Sequence, residues 1–318
     1  MEKIKNLLLR TTNLKILKDT DFRTKVKNRS SKIIWGVICF LILFGLSFIV
    51  VYPLIFSVSM SIRDIKDITD PSVMWIPKHL TFFNIKETVR LMKYGATFLN
   101  SIKLCAVSSL LQVVSCAIVG YGFARFNFKF KGLFFALALF TIIVPPQVVY
   151  IPTYLFYKNL NIIDSVLTMY IPAFFGVGIR SGLFIYIFRQ FYRNLPKELE
   201  DAAYVDGCGY YTTFVRLIIP NAKTVITTVF LFSMVWYWGD YYYTKMYFTN
   251  FQTVTTALSN LSFAISQYGD DATYGSLSYN VSLLNQSGCL LAVFPMLILY
   301  IIFQRQFVDG LERSGIVG

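Results

Sequence analysis

The chain carries one histidine, His79, and no second histidine that would complete a metal or catalytic site. Its five cysteines, Cys39, Cys105, Cys116, Cys208 and Cys289, lack metal-ligand spacing. Four of them lie in apolar tracts, where cysteine serves as a small hydrophobe. No Gly-x4-Gly-Lys-Ser/Thr loop is present, so any ATP chemistry must come from a partner chain. Charge is scarce too. Only 15% of the 318 residues are charged, against about 25% in a soluble domain. The deficit is concentrated in long uncharged tracts, which points to a multi-span membrane protein. The net charge of +13 does not argue for nucleic-acid binding, because the basic residues sit at the ends of apolar segments. No catalytic cluster is visible, which argues against a membrane-embedded enzyme. Neither paired intramembrane carboxylates nor an inverted repeat supports an ion-driven secondary transporter.

What is present in abundance is apolar sequence. Six tracts approach the roughly 20 residues that cross a hydrocarbon core: Ile33–Ser61, Thr97–Ala124, Gly132–Phe156, Ser165–Phe188, Thr224–Tyr243 and Ser282–Phe303. The expected fold is an all-α polytopic membrane protein with six transmembrane helices. Basic residues orient it. Residues 1–32 hold ten Lys and Arg, 125–131 three, 189–223 five and 305–318 two, which together make 20 of the chain's 30. These segments, and therefore both termini, are expected to be cytoplasmic. The outside segment 63–93 is a mild exception, with six basic and four acidic residues. No cleavable signal peptide is expected, because the first apolar tract is too long for a signal core. The expected domains are a basic tail (1–32), a first span with its outside segment (33–96), a five-helix core (97–304) containing a cytoplasmic loop (189–223), and a C-terminal tail (305–318). Two readings stand for the N-terminal tail: an amphipathic helix on the inner membrane surface, or a solvated segment that fixes topology.

The loop contains the run ELEDAAYVDGCGYYTTFVRLIIP, Glu198–Pro220. Pro196 suits the first turn of a helix. Glu198, Glu200 and Asp201 follow where the helix dipole favours negative charge. Ala202 and Ala203 give a small-residue side, and Gly207 is placed to end the helix in a left-handed conformation. Asp206 is expected to cap the next helix, which runs through YYTTFVRLII and stops at Pro220. A docking element and a plain re-entry loop both fit this pattern.

These residues also resemble a known family. DAAYVDGCGYYTTFVRLIIP is similar to the EAA loop of ABC-importer permeases. Asp201-Ala202-Ala203 stands for Glu-Ala-Ala, Gly207 falls at the family's glycine, and Leu217-Ile218-Ile219-Pro220 closes the motif. The substitution of Asp for Glu keeps the charge on a shorter arm. GYGFARFNFKFKG, VPPQVVYIPTYLFYKNLNIIDS, FRQFYRNLPKELEDAAYVDG and FVDGLERSGIVG resemble the carbohydrate-import, MalG-like branch, in the same order. The resemblance covers roughly residues 80–318. It implies the type I importer (MetI-like) fold and a coupling helix comprising Glu198, Glu200, Asp201, Ala202, Ala203, Asp206 and Gly207, with Pro220 at its far end. The implied partners are a second, MalF-like permease subunit, two ATP-binding subunits that hold ATP and Mg, and an extracytoplasmic sugar-binding protein. An ABC permease for a non-sugar solute is the nearest alternative.

Other features keep two readings each. The aromatic run Met234–Phe248 is either a membrane-interface belt or a sugar surface formed by Trp236, Trp238, Asp240 and Tyr241. Asp240 is a structural acceptor or a hydroxyl contact. WGDYYY resembles the branch's Trp-Asn-Asp-aromatic stretch, with Gly239 in place of Asn. Lys103 and Arg180, in or near spans, are functional cations or snorkelling side chains. Pro145-Pro146 is expected to kink or end the third span. Residues 248–280, rich in Ser, Thr, Asn and Tyr, are a solvated linker or, as the resemblance implies, a face for the binding protein.

Overall fold

The structure, a computed structural model, describes residues 2–68, 70–267 and 277–315. Every regular element among them is helical. The chain divides into two units, Met1–Ser57 and Val58–Gly318. The first consists of most of helix α1 (Glu2–Ser61), which passes from the basic tail into the first apolar tract without a break. From Lys32 onward α1 has a mean hydropathy of 2.8, and none of its most apolar window is buried. Such a surface is stable in lipid or against another membrane helix, not in water.

The second unit is organised around α3 (Tyr94–Arg125). It packs against α6 (Leu167–Phe174), α7 (Ser181–Asn194) and α11 (Lys223–Trp238). One apolar cluster includes Leu104, Met234, Trp238, Leu261 and Ile265. Another includes Cys116, Tyr121, Phe184, Phe188, Tyr192 and Val229. Gly120 lets α3 and α7 touch: a Cβ there would lie 2.6 Å from the Phe188 Cβ. Small residues commonly permit such approach between membrane helices. Gly120→Val is therefore expected to destabilise the fold by about 1–3 kcal/mol through overpacking, with Gly120→Ala less severe. Thermal unfolding of the purified chain in detergent measures this, and wild-type stability in Gly120→Val would contradict the contact.

Among the described residues, three helices are long and apolar enough to cross a membrane: Lys32–Ser61, Tyr94–Arg125 and Val281–Gln306. A fourth is possible if Tyr210–Asn221 and α11, bent by 75°, form one span. The third and fourth expected spans are not continuous helices. The third is α4 (Lys131–Ile143), a 3-10 turn at Pro146–Val148 and α5 (Tyr150–Asn159). Its break has a local cause. Pro145 and Pro146 donate no backbone hydrogen bond, and Val144 before them is extended. The fourth breaks between α6 and α7, where Pro172 sits inside α6 and Gly176 has φ +70°. The carbonyls freed there are recovered by other helices, as an apolar setting requires. Ser115 Oγ donates to the Ala173 carbonyl at 2.7 Å. The buried Gln112 amide donates to the Ile179 carbonyl at 2.6 Å and to Ser181 Oγ at 2.9 Å, and Ser233 Oγ donates back to it at 3.2 Å.

The helices α8 (Glu198–Val205), α9 (Tyr210–Thr213) and α10 (Ile219–Asn221) belong to the loop described below. After α11 come α12 (Tyr242–Tyr247), α13 (Val254–Gln267) and α14 (Leu277–Gly315). Over 254–267 the solvated-linker reading of 248–280 fails. Val254, Ala257, Leu261 and Ile265 are buried, and α13 packs on α14 and α2 (Phe83–Leu91). Several of its hydroxyls bond the helix's own backbone, as when Ser259 Oγ donates to the Thr256 carbonyl at 2.8 Å. Residues 268–276 lie outside the described set. The expected boundary at 304/305 is not a break either, because α14 continues to Gly315.

The segment after α1 folds around Asp67, which is buried. Its carboxylate accepts the Lys78 and His79 backbone N–H groups at 2.7 and 2.8 Å, and the His79 ring nitrogen Nδ1 lies at 2.6 Å. Burial alone would raise the Asp67 pKa, but the His79 and Lys78 hydrogen bonds outweigh it and hold the group below its ordinary value. A depressed carboxylate contributes stability above the unfolded value, near 4, and loses it as pH falls through the lower folded value. Amides 64–79 should therefore exchange faster in acid after correction for intrinsic rates. Asp67→Asn should exchange faster already at neutral pH, and unchanged exchange in that variant would contradict this role.

Candidate functional site

Pro196 forces Leu195 into an extended conformation, which ends α7 and turns the chain into α8. Glu198, Leu199, Asp201 and Ala202 on α8 are exposed, and Ala203 is half-buried. Glu200 is not on that surface. It is buried and ion-paired, with Arg125 Nε at 2.7 Å from Oε1 and both side chains under a tenth exposed. Tyr121 donates to its other oxygen at 3.3 Å. Arg125 also donates through Nη2 to the Leu195 carbonyl at 2.8 Å. One cation at the C-terminus of α3 thus holds both α8 and the turn that enters it. Burying two charges is tolerated only with such complete pairing. The expectation that the three acids share one dipole role is corrected accordingly: Glu198 and Asp201 stay at the helix start, and Glu200 is a tether.

The helix ends at Asp206, whose backbone N–H donates to the Ala202 carbonyl at 3.0 Å. Gly207 follows with φ +80°, and Cys208 N–H donates to the Ala203 carbonyl at 2.9 Å. This is the left-handed glycine termination the sequence predicts. The expected cap by Asp206 is absent. The residue entering α9 is Gly209, with no side-chain cap, and Asp206 is itself the C-cap of α8. The second helix ends one residue past Pro220, at Asn221. A π-helical turn, Phe214–Ile218, leads into α10, and Pro220 stands in that helix's first turn. A proline ring clashes with the carbonyl one turn before it, and the wider π turn relieves that conflict. The chain bends only after Asn221, by 75° into α11.

The resulting knob is rigid beneath and apolar outside. Tyr121 contacts Phe214 with ring centroids 4.7 Å apart, and Tyr204 meets Tyr210 at 5.2 Å. Val205 and Tyr211 are each 88% exposed, and Leu199 is 40% exposed. Exposed apolar residues beside Glu198, Asp201 and Asp206 suit a protein partner better than water.

The other predicted residues lie elsewhere. Trp238 is buried and donates to the Ala292 carbonyl at 3.0 Å. Asp240 accepts the Thr244 and Tyr243 N–H groups at 2.9 and 3.4 Å, which caps α12 and supports its structural reading. Trp236 and Tyr241 are partly exposed. Lys103 is exposed on α3. Among the described residues, no group of three His, Cys, Asp or Glu side chains could hold a metal. Sequence reasoning missed Arg125. Its one local signal is a basic residue ending a long apolar helix.

The profile of the family "Binding-protein-dependent transport system inner membrane component" matches residues 117–313, more than half of the chain and including the whole knob. The arabinooligosaccharides transport system permease protein AraQ of Bacillus subtilis is 27% identical over 249 residues, covering 78% of this chain and 81% of its own. The melibiose/raffinose/stachyose import permease protein MelC of the same organism is 27% identical, covering 78% and 86%. The sn-glycerol-3-phosphate transport system permease protein UgpE of Yersinia pestis is 26% identical, covering 70% and 74%. A crystal structure of a bacterial ABC transporter involved in the import of the acidic polysaccharide alginate matches in fold. Its TM-score is 0.73 at 19% identity, covering 87% of this chain and 98% of that one.

Proposed function

We propose, because the chain belongs to the family of binding-protein-dependent transport system inner membrane components, that it is one permease subunit of an ATP-driven ABC importer for a carbohydrate. In this reading the chain hydrolyses nothing. Two partner ATP-binding subunits supply the ATP and Mg chemistry, a second MalF-like permease completes a heterodimer, and an extracytoplasmic binding protein delivers the sugar. Both termini lie in the cytoplasm of a bacterial cell. The pairs α4/α5 and α6/α7 each complete a crossing despite their breaks, giving six. Relatives named for arabinooligosaccharides and for melibiose, raffinose and stachyose support an oligosaccharide cargo. The relative named for sn-glycerol-3-phosphate keeps a small phosphorylated polyol as the second reading.

The observation that carries the proposal is the tethered knob. α8 offers its exposed face outward while Glu200 locks it to Arg125 at the end of α3. A push on α8 is then transmitted to the central helix as rigid-body displacement rather than absorbed locally. ATP-driven closure of the partner subunits would use that connection to switch the permease pair between inward- and outward-facing states. A photo-crosslinking amino acid at Ala202 or Val205 tests it in the purified complex. Both positions should capture the ATP-binding subunit, and the same group at Lys103 should not. Failure at Ala202 and Val205 in an assembled complex would contradict docking through α8.

A further inference from the structure

The break between α6 and α7 is lined on one side by a cavity of about 700 Å³, within the size range of small-molecule sites. Most of its wall is apolar, with Phe140, Val177, Thr141, Ser181 and Tyr243 among the lining residues. Arg180 also lines it. Its guanidinium stands over the Trp236 ring at 4.5 Å. Among the described residues it has no carboxylate and no hydrogen-bond acceptor. The half-buried Arg189 also lacks a carboxylate among them and stands over the Phe135 ring at 3.9 Å, but it does not line the cavity. Arg125 is paired with Glu200, and Arg63 donates to the Met74 carbonyl. The backbone at Arg180 is also unusual. Its φ of +61° is left-handed, although the chain has glycines at 178 and 182 on either side. Position 180 itself, where glycine or asparagine would sit with less strain, holds a charged side chain.

An arginine in an apolar setting is stabilised by a counter-charge. The cation–π contact positions the guanidinium but does not neutralise it. Asp240 makes no ion pair with it, and its carboxylate accepts the Thr244 and Tyr243 N–H groups instead. We propose that the counter-charge is the cargo's own, so that this cavity takes a saccharide bearing an anionic group, carboxylate or phosphate. Arg180 binds the anion through its planar donor fork and Trp236 orients that fork. This rests on the permease reading above and names the substrate class of that transporter.

The test uses the purified permease–ATPase complex in nanodiscs and titration calorimetry. Four probes form two pairs: digalacturonate against its dimethyl ester, and glucose 1-phosphate against glucose. The wild-type complex should bind at least one anionic member about tenfold more tightly than its neutral twin. The pair that discriminates separates a carboxylate cargo from a phosphate one. Arg180→Gln should bind the two members equally. Arg180→Lys should keep part of the preference. Raising salt from about 0.1 to 0.5 M should weaken only the anionic probe. If Arg180→Gln does not assemble, the wild-type preference, its salt dependence and Arg180→Lys decide. Equal binding within both pairs by wild type, or an undiminished preference in Arg180→Gln, would overturn the proposal. A complex that hydrolyses ATP yet shows no preference counts against this inference alone, whereas a chain that never associates with ATP-binding subunits counts against the permease reading.

Discussion

Glu200→Ala is expected to destabilise the second unit by about 3–5 kcal/mol, because it strands Arg125 as a buried, unpaired cation. Uptake should be lost along with that stability. Asp201→Ala, one residue away but exposed, should stay within about 0.5 kcal/mol of wild type. Arg125→Ala should be comparable to Glu200→Ala, and it also removes the donor to the Leu195 carbonyl. The informative variant is the double exchange Arg125→Met with Glu200→Leu. Replacing a buried ion pair with packed apolar residues is often neutral, so stability should largely return. If the pair acts by holding α8 in place, uptake should return with it. Chemical denaturation and proteoliposome uptake, measured on the same preparations, read both quantities. Wild-type values for both in Glu200→Ala would remove the tether from the account.

The second large effect is at Gly207. Nothing lies within 4 Å of a Cβ built there, so crowding does not restrict the position. The backbone does, at φ +80°. A β-branched residue in that conformation costs on the order of 1–3 kcal/mol, and the loop can escape the cost only by unwinding the end of α8. Gly207→Val should therefore assemble and hydrolyse ATP but lose stimulation by the binding protein and its sugar, with uptake reduced roughly tenfold or more. Gly207→Asn should behave nearly as wild type, since asparagine tolerates the left-handed region. Full coupling in Gly207→Val, or equal damage from Asn and Val, would show that the turn's conformation is not what transmits the motion.

The knob was legible where its determinants are local. Pro196, the exposed acids and Gly207 fix the limits of α8 through the chemistry of adjacent residues. What could not be read was the partner of Glu200, because Arg125 is 75 residues away and meets it only once α3 and α8 are packed. The π turn before Pro220 escaped for a related reason. The proline marks the helix end to within one residue, but nothing local announces the wider turn upstream that relieves its clash. In the apolar tracts Pro145-Pro146 announced its break, whereas Pro172 and Gly176 lay inside a run whose hydropathy masked them. The Ser/Thr-rich stretch leading to α13 read as a loop because hydroxyl content looks polar. In the fold several of those hydroxyls bond to the helix's own carbonyls, and Leu261 and Ile265 are buried. Asp240 was readable as a structural acceptor, but the helix it caps was not.

The central claim is that this chain moves its cargo only when partner subunits hydrolyse ATP and push on α8. The most direct measurement is uptake into proteoliposomes holding the chain with its second permease, ATP-binding subunits and binding protein, with ATP enclosed or omitted and ion gradients clamped or imposed. The account predicts uptake only with ATP and binding protein both present, unaffected by ion gradients and lost in Glu200→Ala. Uptake by the chain alone, driven by an ion gradient without ATP, would contradict it.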